Sequence, residues 1–374
     1  MSTTTCEGRY LDIEQIVKKS QSTPLRGIVS FLDYCRLLIM LSLLVLMCCA
    51  LCGSEEDLGY SLSIGNAIDV FANYGDLSQV TQVVSADYED ENYEPAEPFR
   101  EKNIRVFENV SSIITPGDTM VNMNLHLCET FDDLLQVYFK HFQIEGTDVP
   151  WKAFLGDWIP GEIMRAFGIE YDPRSDNCCY VLVTLSKIKS SVRINTERTI
   201  KVKDYVFRAI EQLNATDATD LRRFMKSYGT HYIDSYITGN FIYQVFKYKR
   251  NGYNTLKNFI RLRERRRSNS DLRFYFSSIF LRQVGDIRIA SGNKTVEKWA
   301  RKNLRDSQYL FSRPSLLRLH YNRNLAFKLN EMMDNGALLS LNLKTLKPLF
   351  KDTSMGDRFV EIVENDLKLW EVNA

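Results

Sequence analysis

Residues 227–240 read S-Y-G-T-H-Y-I-D-S-Y-I-T-G-N, and this stretch decides the fold. From His231 onward bulky and polar residues alternate with a period of two, which indicates a β-strand that continues to about residue 249. Inside that strand, Gly239-Asn240 predicts a bend, a bulge or a close approach of another backbone, because glycine otherwise weakens a strand. The sequence therefore predicts one long strand that is interrupted only at this pair.

A helix is predicted directly before the long strand. One face of this helix carries apolar residues at helical spacing, namely Leu221, Phe224 and Met225. Thr216 or Thr219 can cap its start, and Gly229 follows its end, where a left-handed conformation costs glycine nothing. We expect His231 to be a hydrogen-bonded residue that locks the corner between helix and strand. A catalytic pairing with Asp234 is disfavoured, since the two side chains leave a strand on opposite faces.

The rest of the chain predicts further strands between partly helical segments. These strands are expected at residues 103–112, 178–194 and 271–291. Residues 113–177 are mixed, with Thr130 as a helix cap, and a later helix carries Trp299. Strands and helices in this order predict an α+β fold.

The motif Tyr228-Gly229-Thr230-His231-Tyr232, followed after six residues by Gly239, resembles the signature of the membrane-attack-complex/perforin (MACPF) superfamily. That signature ends in Gly-Gly, whereas this chain has Asn240 in the second position. The resemblance covers about residues 100–370. It implies a bent, four-stranded antiparallel sheet flanked by two helical clusters, which unfurl into membrane-spanning hairpins in pore-forming members. A residue with a Cβ at the bend opens it less freely, so Asn240 argues against unfurling here.

The amino-terminal region predicts secretion. Residues 1–53 form a leader whose apolar run, 37–52, is shorter than the roughly 20 residues of a transmembrane helix and matches a cleaved signal peptide. A signal anchor with a cytosolic tail is the alternative. Residues 54–100 are expected to be an extension with an acidic linker at 87–98, and residues 101–374 a MACPF-like domain.

Cysteine usage agrees with an oxidising compartment. Adjacent cysteines rarely bridge, so Cys128 is expected to pair with Cys178 or Cys179 and to leave one thiol over. Three cysteines and His126 do not provide the paired ligand spacing of a zinc site, and no metal is predicted. Glycosylation sequons, which also agree with secretion, begin at Asn109, Asn214 and Asn293.

A basic run follows the long strand and argues against a membrane hairpin. It contains Arg261, Arg263, Arg265, Arg266 and Arg267. A membrane-spanning strand alternates apolar and polar residues over about 9–11 positions, and an arginine facing lipid costs about 2–4 kcal/mol. Three consecutive arginines must put at least one on the lipid side. We interpret the run first as solvated surface. The alternatives are binding of an anionic polymer, membrane surface or acidic protein, and cleavage at Arg263-Glu264-Arg265-Arg266.

Composition excludes several function classes. The chain has 48 basic and 47 acidic residues among 374, and this balance does not favour a nucleic-acid partner. It lacks the P-loop, H-E-x-x-H and G-x-S-x-G motifs, and its four histidines are scattered. The sequence therefore predicts neither an enzyme nor a cofactor.

Within the superfamily the chain resembles the insect Torso-like family, whose members are short, secreted and free of large appended modules. The resemblance implies a non-enzymatic factor held at the eggshell, in the perivitelline space or at the cell surface. Its expected partners are a Trunk-type ligand or a Torso-type receptor tyrosine kinase in terminal patterning of the embryo. The alternatives are a perforin-type membrane effector and a structural component of the eggshell or extracellular matrix.

Overall fold

The computed structural model describes residues 63–71, 104–108, 110–155, 159–171, 178–197, 200–214, 217–266, 272–290, 294–305, 313–334 and 336–373. All of them belong to the compact unit Tyr60–Ala374. The predicted leader and acidic linker lie outside the described residues, as do Asn109, Asn293 and Arg267.

Two long strands form the centre of the fold, β7 (Cys178–Ile194) and β9 (His231–Lys249). Both have the bounds that the sequence predicts, and they pair antiparallel along most of their length. The strands before them are β1 (Asn66–Ile68), β2 (Ile104–Arg105), β3 (Phe107–Glu108), β4 (Ser112–Pro116), β5 (Asn122–Cys128) and β6 (Phe142–Ile144). The others are β8 (Lys201–Val202), β10 (Leu281–Val284), β11 (Arg288–Ile289) and β12 (Ala337–Thr345).

Helices lie between the strands. Those before β9 are α1 (Phe131–Tyr138), α2 (Trp151–Leu155), α3 (Pro160–Ala166), α4 (Asp204–Glu211) and α5 (Ala218–Tyr228). Those after it are α6 (Arg250–Arg266), α7 (Lys294–Asn303), α8 (Arg318–Tyr321), α9 (Arg323–Met332) and α10 (Thr353–Asn373). Short 3-10 turns span Leu272–Phe276 and Lys347–Leu349. Thr130 caps α1 as predicted, in a reciprocal capping box with Asp133.

The large antiparallel sheet has four long rows, and the α+β prediction is confirmed. Row one consists of β4 and β5, which pair with successive parts of β7. Row two is β7 and row three is β9. Row four consists of β10 and β11, which pair with the carboxyl half of β9, and β12, which pairs with its amino half. The inserted residues 290–336 carry α7, α8 and α9.

Irregularities in the pairing of the four rows line up across the sheet in what we call the break line. Row one is broken at residues 117–121, between β4 and β5. The register of β7 against β9 shifts between Ile188 and Ser190, opposite Gly239. Row four is interrupted beside the same glycine, because Ala337 pairs with it at the start of β12.

Hydrophobic cores lie on both faces of the sheet, as the period of two in β7 requires. Tyr180 and Leu182 belong to the first core, whereas Val181 and Val183 belong to the second. The first core contains residues of α1, α2, α3, α5 and α10, and the second contains residues of α6, α7 and α9. Both faces of the central strands are thus buried.

Two predicted strands differ from the observed ones. The stretch 271–291 forms a 3-10 turn and the short strands β10 and β11, because its aromatic residues pack across the sheet rather than along an edge. Phe276 makes edge-to-face contacts with Phe246 and Tyr248. The stretch 103–112 is split at buried Val106, since β2 pairs with β1 while β3 pairs with β8.

Two further expectations are corrected. Asp217, not Thr216 or Thr219, caps α5, and its carboxylate accepts a hydrogen bond from the backbone N–H of Thr219 at 2.8 Å. Residues 66–68 belong to the sheet rather than to an extension outside it, because β1 pairs with the start of β9.

Candidate functional site

The corner between α5 and β9 depends on the glycine of the signature. Gly229 has φ +88° and ψ −177°, so its φ is positive as predicted, although its ψ is extended rather than helical. A Cβ on this residue would lie 2.7 Å from the carbonyl oxygen of Ile68. Only glycine combines this φ with so close an approach of β1.

The two residues after the glycine connect three parts of the sheet. The backbone N–H of Thr230 donates to the carbonyl of Ile68 in β1, and its hydroxyl accepts from the N–H of Val70. The Nε2 of His231 lies 2.8 Å from the carbonyl oxygen of Glu145, just after β6. A carbonyl only accepts, so Nε2 carries the proton and Nδ1 accepts from the Thr230 hydroxyl at 3.0 Å.

Glu145 extends this network to row four. One oxygen of its carboxylate accepts hydrogen bonds from the N–H and the hydroxyl of Thr345, at 2.6 and 3.0 Å. Thr345 in turn pairs with His231 across β12 and β9. The helix–strand corner therefore fastens β1, β6 and the end of β12 to the start of β9.

The electrostatics of His231 identify it as structural. The ring is completely buried, and this burial lowers its pKa to about 4, against a smaller opposing effect of Glu145. Both ring nitrogens are used in hydrogen bonds within the protein. Asp234 binds Lys344 at 2.9 Å and Asn342 at 3.1 Å instead. The sequence-based interpretation of His231 as the lock of the corner is confirmed.

The flanking tyrosines of the signature are packing residues. Tyr232 is buried and meets Phe107 edge to face, with 5.3 Å between ring centroids. Tyr228 is half-buried against Phe224 of its own helix. Tyr228 to Tyr232 thus determine an architecture. The one hydroxyl–imidazole pair among them, Thr230 with His231, is completely buried and out of reach of a substrate.

The second part of the signature, Gly239-Asn240, lies on the break line. A Cβ on Gly239 would lie 2.2 Å from the carbonyl oxygen of Lys187 in β7, so the prediction of a close backbone approach is confirmed. Asn240 beside it is buried. On the other side, the hydroxyls of Ser190 and Thr238 hydrogen-bond across the register shift at 3.0 Å.

A polar cluster that the sequence analysis missed connects α9 to the sheet at the break line. Asn330, near the end of α9, accepts from the N–H of Val121 at 3.0 Å and donates to the carbonyl of Thr119 at 3.3 Å. Its own carbonyl accepts from the ammonium of Lys187 at 2.9 Å. We call Thr119, Val121, Lys187 and Asn330 the clasp. Its members come from three distant stretches of the chain, and no local pattern brings these stretches together.

The predicted disulfide is wrong. Cys128, Cys178 and Cys179 are free and buried. Cys128 pairs with Tyr180, so Cys178 is its diagonal neighbour, at a typical Cα separation of about 7–8 Å that exceeds the usual reach of a disulfide. Cys179 contributes to the core on the opposite face. Burial, assisted by Asp133, raises the pKa of Cys128 to about 12, so this thiol is not a nucleophile at neutral pH.

The basic run lies at the end of α6, not in a strand. Tyr253 and Leu256 anchor this helix in the second core, and Arg261 is exposed. Arg263, Arg265 and Arg266 belong to the same helix, whose side chains beyond residue 262 lie outside the description. Asn214, a predicted glycosylation site, is exposed.

The described residues contain neither a metal-binding cluster nor a membrane-spanning helix. In that part of the chain, no three or more His, Cys, Asp or Glu side chains are grouped to hold a metal ion. Nor does any helix in the same ranges have the length and apolar character needed to cross a bilayer.

Solved structures are similar to the chain only at low TM-scores. GNIP1Aa from Chromobacterium piscinae covers 82% of this chain over 57% of its own length, with 11% identity and a TM-score of 0.42. A putative cell invasion protein with a MAC/perforin domain from Bacteroides thetaiotaomicron covers 84% over 61%, with 9% identity and a TM-score of 0.36. Astrotactin-2, a vertebrate-specific, perforin-like membrane protein involved in neuronal development, covers 75% over 89%, with 12% identity and a TM-score of 0.32.

The chain thus spans about three-fifths of the length of the first two structures. Two of the three proteins are described as MAC/perforin-domain or perforin-like. Overlaps of this size establish no activity for this chain. No protein-family profile matches the sequence, and no curated protein matches it.

Proposed function

We propose that this MACPF-like chain is a secreted, non-enzymatic factor that supports activation of a Torso-type receptor tyrosine kinase by a Trunk-type ligand outside the cell. The choice of pathway comes from the sequence resemblance to the Torso-like family. The structural support concerns a narrower question, which is whether the domain acts as a folded binding surface or as an unfurling membrane effector.

The clasp is the observation that favours a folded binding surface. Unfurling into a membrane hairpin would require the helices that follow β9 to detach from the sheet beside the break line. Asn330 joins the inserted helix α9 to rows one and two, through Val121 and Lys187. Each hydrogen bond contributes on the order of 0.5–1.5 kcal/mol, and more where a charged group takes part. Asn240 adds a buried side chain at the same level.

The state of the reactive side chains supports a non-enzymatic role. His231 is neutral at physiological pH and spends both nitrogens on the corner. Burial likewise raises the pKa of the thiols of Cys128 and Cys179. Within the described residues these groups hold the fold together and have no access to a substrate.

The decisive experiment measures receptor phosphorylation. Cells that express a Torso-type receptor receive Trunk-type ligand with or without the purified, secreted chain. We expect receptor phosphotyrosine to rise above the level with ligand alone, and heat-denatured chain to give no rise. An unchanged phosphotyrosine signal across a wide range of folded protein would reject the proposal.

Dye release from liposomes distinguishes the perforin-type alternative from the proposed function. Vesicles of phosphatidylcholine with phosphatidylserine are treated with the wild-type chain and with the Asn330→Ala variant. The proposal expects no release from either protein. Release by wild type would instead identify an active membrane effector. Release by Asn330→Ala alone would identify a membrane effector that the clasp holds closed.

The basic run is the proposed contact for an anionic polymer or membrane surface near the secreting cell. Replacing Arg261, Arg263 and Arg265 by glutamine should lower the salt concentration at which the chain elutes from heparin. The matched control removes one exposed charge elsewhere, in Lys302→Gln. Equal elution of the triple variant and wild type would return the run to plain solvated surface.

A further inference from the structure

A cavity of about 210 Å³ lies on one face of the sheet beside the break line. Its floor is formed by side chains of β5, β7, β9 and β12, and its roof by residues 137–142, at the end of α1 and the start of β6. It is separate from the buried corner at His231. No motif of the sequence marks it, because six separate stretches contribute to its walls.

One wall of the cavity is polar. Asn124 and His126 on β5 stand beside Thr184 and Ser186 on β7, and Asn124 pairs directly with Thr184. Thr184 is only 5% exposed. Throughout the described residues, none of these four side chains has a hydrogen-bond partner in the protein. Asn124 is exposed and His126 and Ser186 are half-buried, so the polar head of a ligand can take the hydrogen bonds that water otherwise makes with this wall.

A second part of the lining is apolar. It is formed by Leu182, Ile237, Phe241 and Leu338 from the sheet, with Val137 and Phe142 from the roof. A cavity with one polar and one apolar wall matches an amphiphile, because such a ligand buries its tail while its head keeps hydrogen bonds.

The charged groups at the mouth determine which charge a ligand should carry. Lys140 is exposed there, next to His126 and His141, and no aspartate or glutamate is among the lining residues. Loss of solvent contact, followed by the nearby charge of Lys140, lowers the pKa of both histidines. At neutral pH the ammonium therefore provides the positive charge, and the imidazoles remain neutral hydrogen-bonding groups.

We propose that this cavity binds a single-chain amphiphile with an anionic head. The head lies at the mouth, paired with Lys140 and hydrogen-bonded to the polar wall. The tail lies against Leu182, Phe241 and the other apolar side chains. The proposal concerns a small-molecule site and does not depend on the signalling role proposed above.

The volume sets the length of the probe. A water molecule occupies about 10–15 Å³ of cavity volume. The cavity of about 210 Å³ therefore has room for roughly fifteen water-sized positions. Octanoate, which has an eight-carbon chain, fits this range and is anionic at pH 7. A small ligand of this kind is expected to bind with a dissociation constant of roughly 100 µM.

Isothermal titration calorimetry with the full chain at pH 7 tests the head group. Octanoate is compared with 1-octanol, which keeps the tail without charge, and with octylammonium, which reverses the charge. Octyl phosphate distinguishes a carboxylate head from a phosphate head within the same anionic class. We expect binding of octanoate or octyl phosphate, at least about tenfold weaker binding of octanol, and none of octylammonium.

Two variants test the location. Lys140→Gln should weaken binding of the anion about three- to tenfold and leave octanol unchanged, since it removes only the charge. Ser186→Phe should fill the cavity and abolish binding of both. Lys368→Gln, an exposed lysine on α10, is the matched control and should bind as wild type does.

Three results would overturn the proposal. The first is no heat of binding for either anion up to about 5 mM. The second is octylammonium binding as tightly as octanoate. The third is unchanged binding to Ser186→Phe, provided that near-UV circular dichroism shows that the variant is folded. If that variant does not fold, unchanged anion affinity in Lys140→Gln would suffice to reject the site.

Discussion

The two halves of β9 belong to one unbroken strand but are stabilised differently. From Ile242 to Tyr248 every residue is buried, with Phe246 in one core and Tyr243 in the other. In the amino half, residues 234–238 are only half-buried, and hydrogen bonds of the corner and the salt bridge of Asp234 fix the strand. Packing dominates the carboxyl half, whereas the amino half combines the buried Tyr232 and Ile233 with a larger share of polar contacts.

The difference explains what each half can tolerate. Apolar packing depends little on pH and fails when volume is lost, whereas a buried polar network fails when a proton arrives or a partner is removed. Between the halves, Gly239 depends on neither, because its requirement is only that no side chain be present. Three substitutions separate these mechanisms.

The largest effect is expected in the carboxyl half. Phe246→Ala removes a fully buried ring that packs edge to face on Phe276, and should lower the free energy of unfolding by about 3–5 kcal/mol. Urea unfolding followed by tryptophan fluorescence measures this loss. Phe327→Ala is the matched control, because the Phe327 side chain is 54% exposed and its removal should cost less than about 1 kcal/mol. Equal losses would contradict the packing argument.

The amino half should respond to pH. The pKa of His231 is about 4 in the folded chain and about 6.5 in the unfolded chain, so only the unfolded chain takes up the proton between these values. Stability is therefore complete above pH 6.5 and is lost as pH falls towards 4, by about 3 kcal/mol from this group.

The variant His231→Gln isolates this effect. It should be less stable than wild type at pH 7, but its stability should fall by about 3 kcal/mol less between pH 7 and pH 4. His320→Gln replaces an exposed histidine and should reproduce the wild-type profile. Parallel pH profiles for wild type and His231→Gln would show that the corner does not depend on a neutral ring.

The smallest of the three effects is expected at the junction. In Gly239→Ala the new methyl group meets the Lys187 carbonyl, and the resulting shift of two strands should cost about 1–3 kcal/mol. Gly336→Ala is an internal control, because nothing lies within 4 Å of a Cβ there. Melting temperatures of the two variants decide the point. An unchanged value for Gly239→Ala would mean that the break line is looser than its backbone contacts indicate.

Sequence reasoning succeeded where one segment carries its own pattern. The bounds of β7 and β9 follow from long alternation, and Gly229 and Thr130 mark helix ends by local chemistry. It failed where distant segments compete for one edge. Row four is shared by β10, β11 and β12, and the alternation in 271–291 does not show that its aromatic rings are needed in the second core.

The site residues divide in the same way. The signature residues could be assigned a structural role because their conformations are local, whereas Asn330 and Lys187 meet only through the fold. The disulfide prediction failed because the spacing of cysteines in the sequence does not reveal the register of the strands. A shift of one residue along β7 moves a side chain to the opposite face of the sheet, as Cys179 shows. His126 and His141 are scattered in the sequence, but the fold places both of them at the same cavity.

The divided fourth row also sets an order of events during synthesis. The carboxyl half of β9 finds β10 and β11 soon after it leaves the ribosome, but its amino half must wait for β12, on the order of 100 residues later. At about 5–20 residues per second this delay lasts roughly 5 to 20 s. During that time the edge of His231 to Gly239 is open to pairing with other nascent chains. A folding chaperone in the compartment of synthesis would have its clearest target in this half-finished strand.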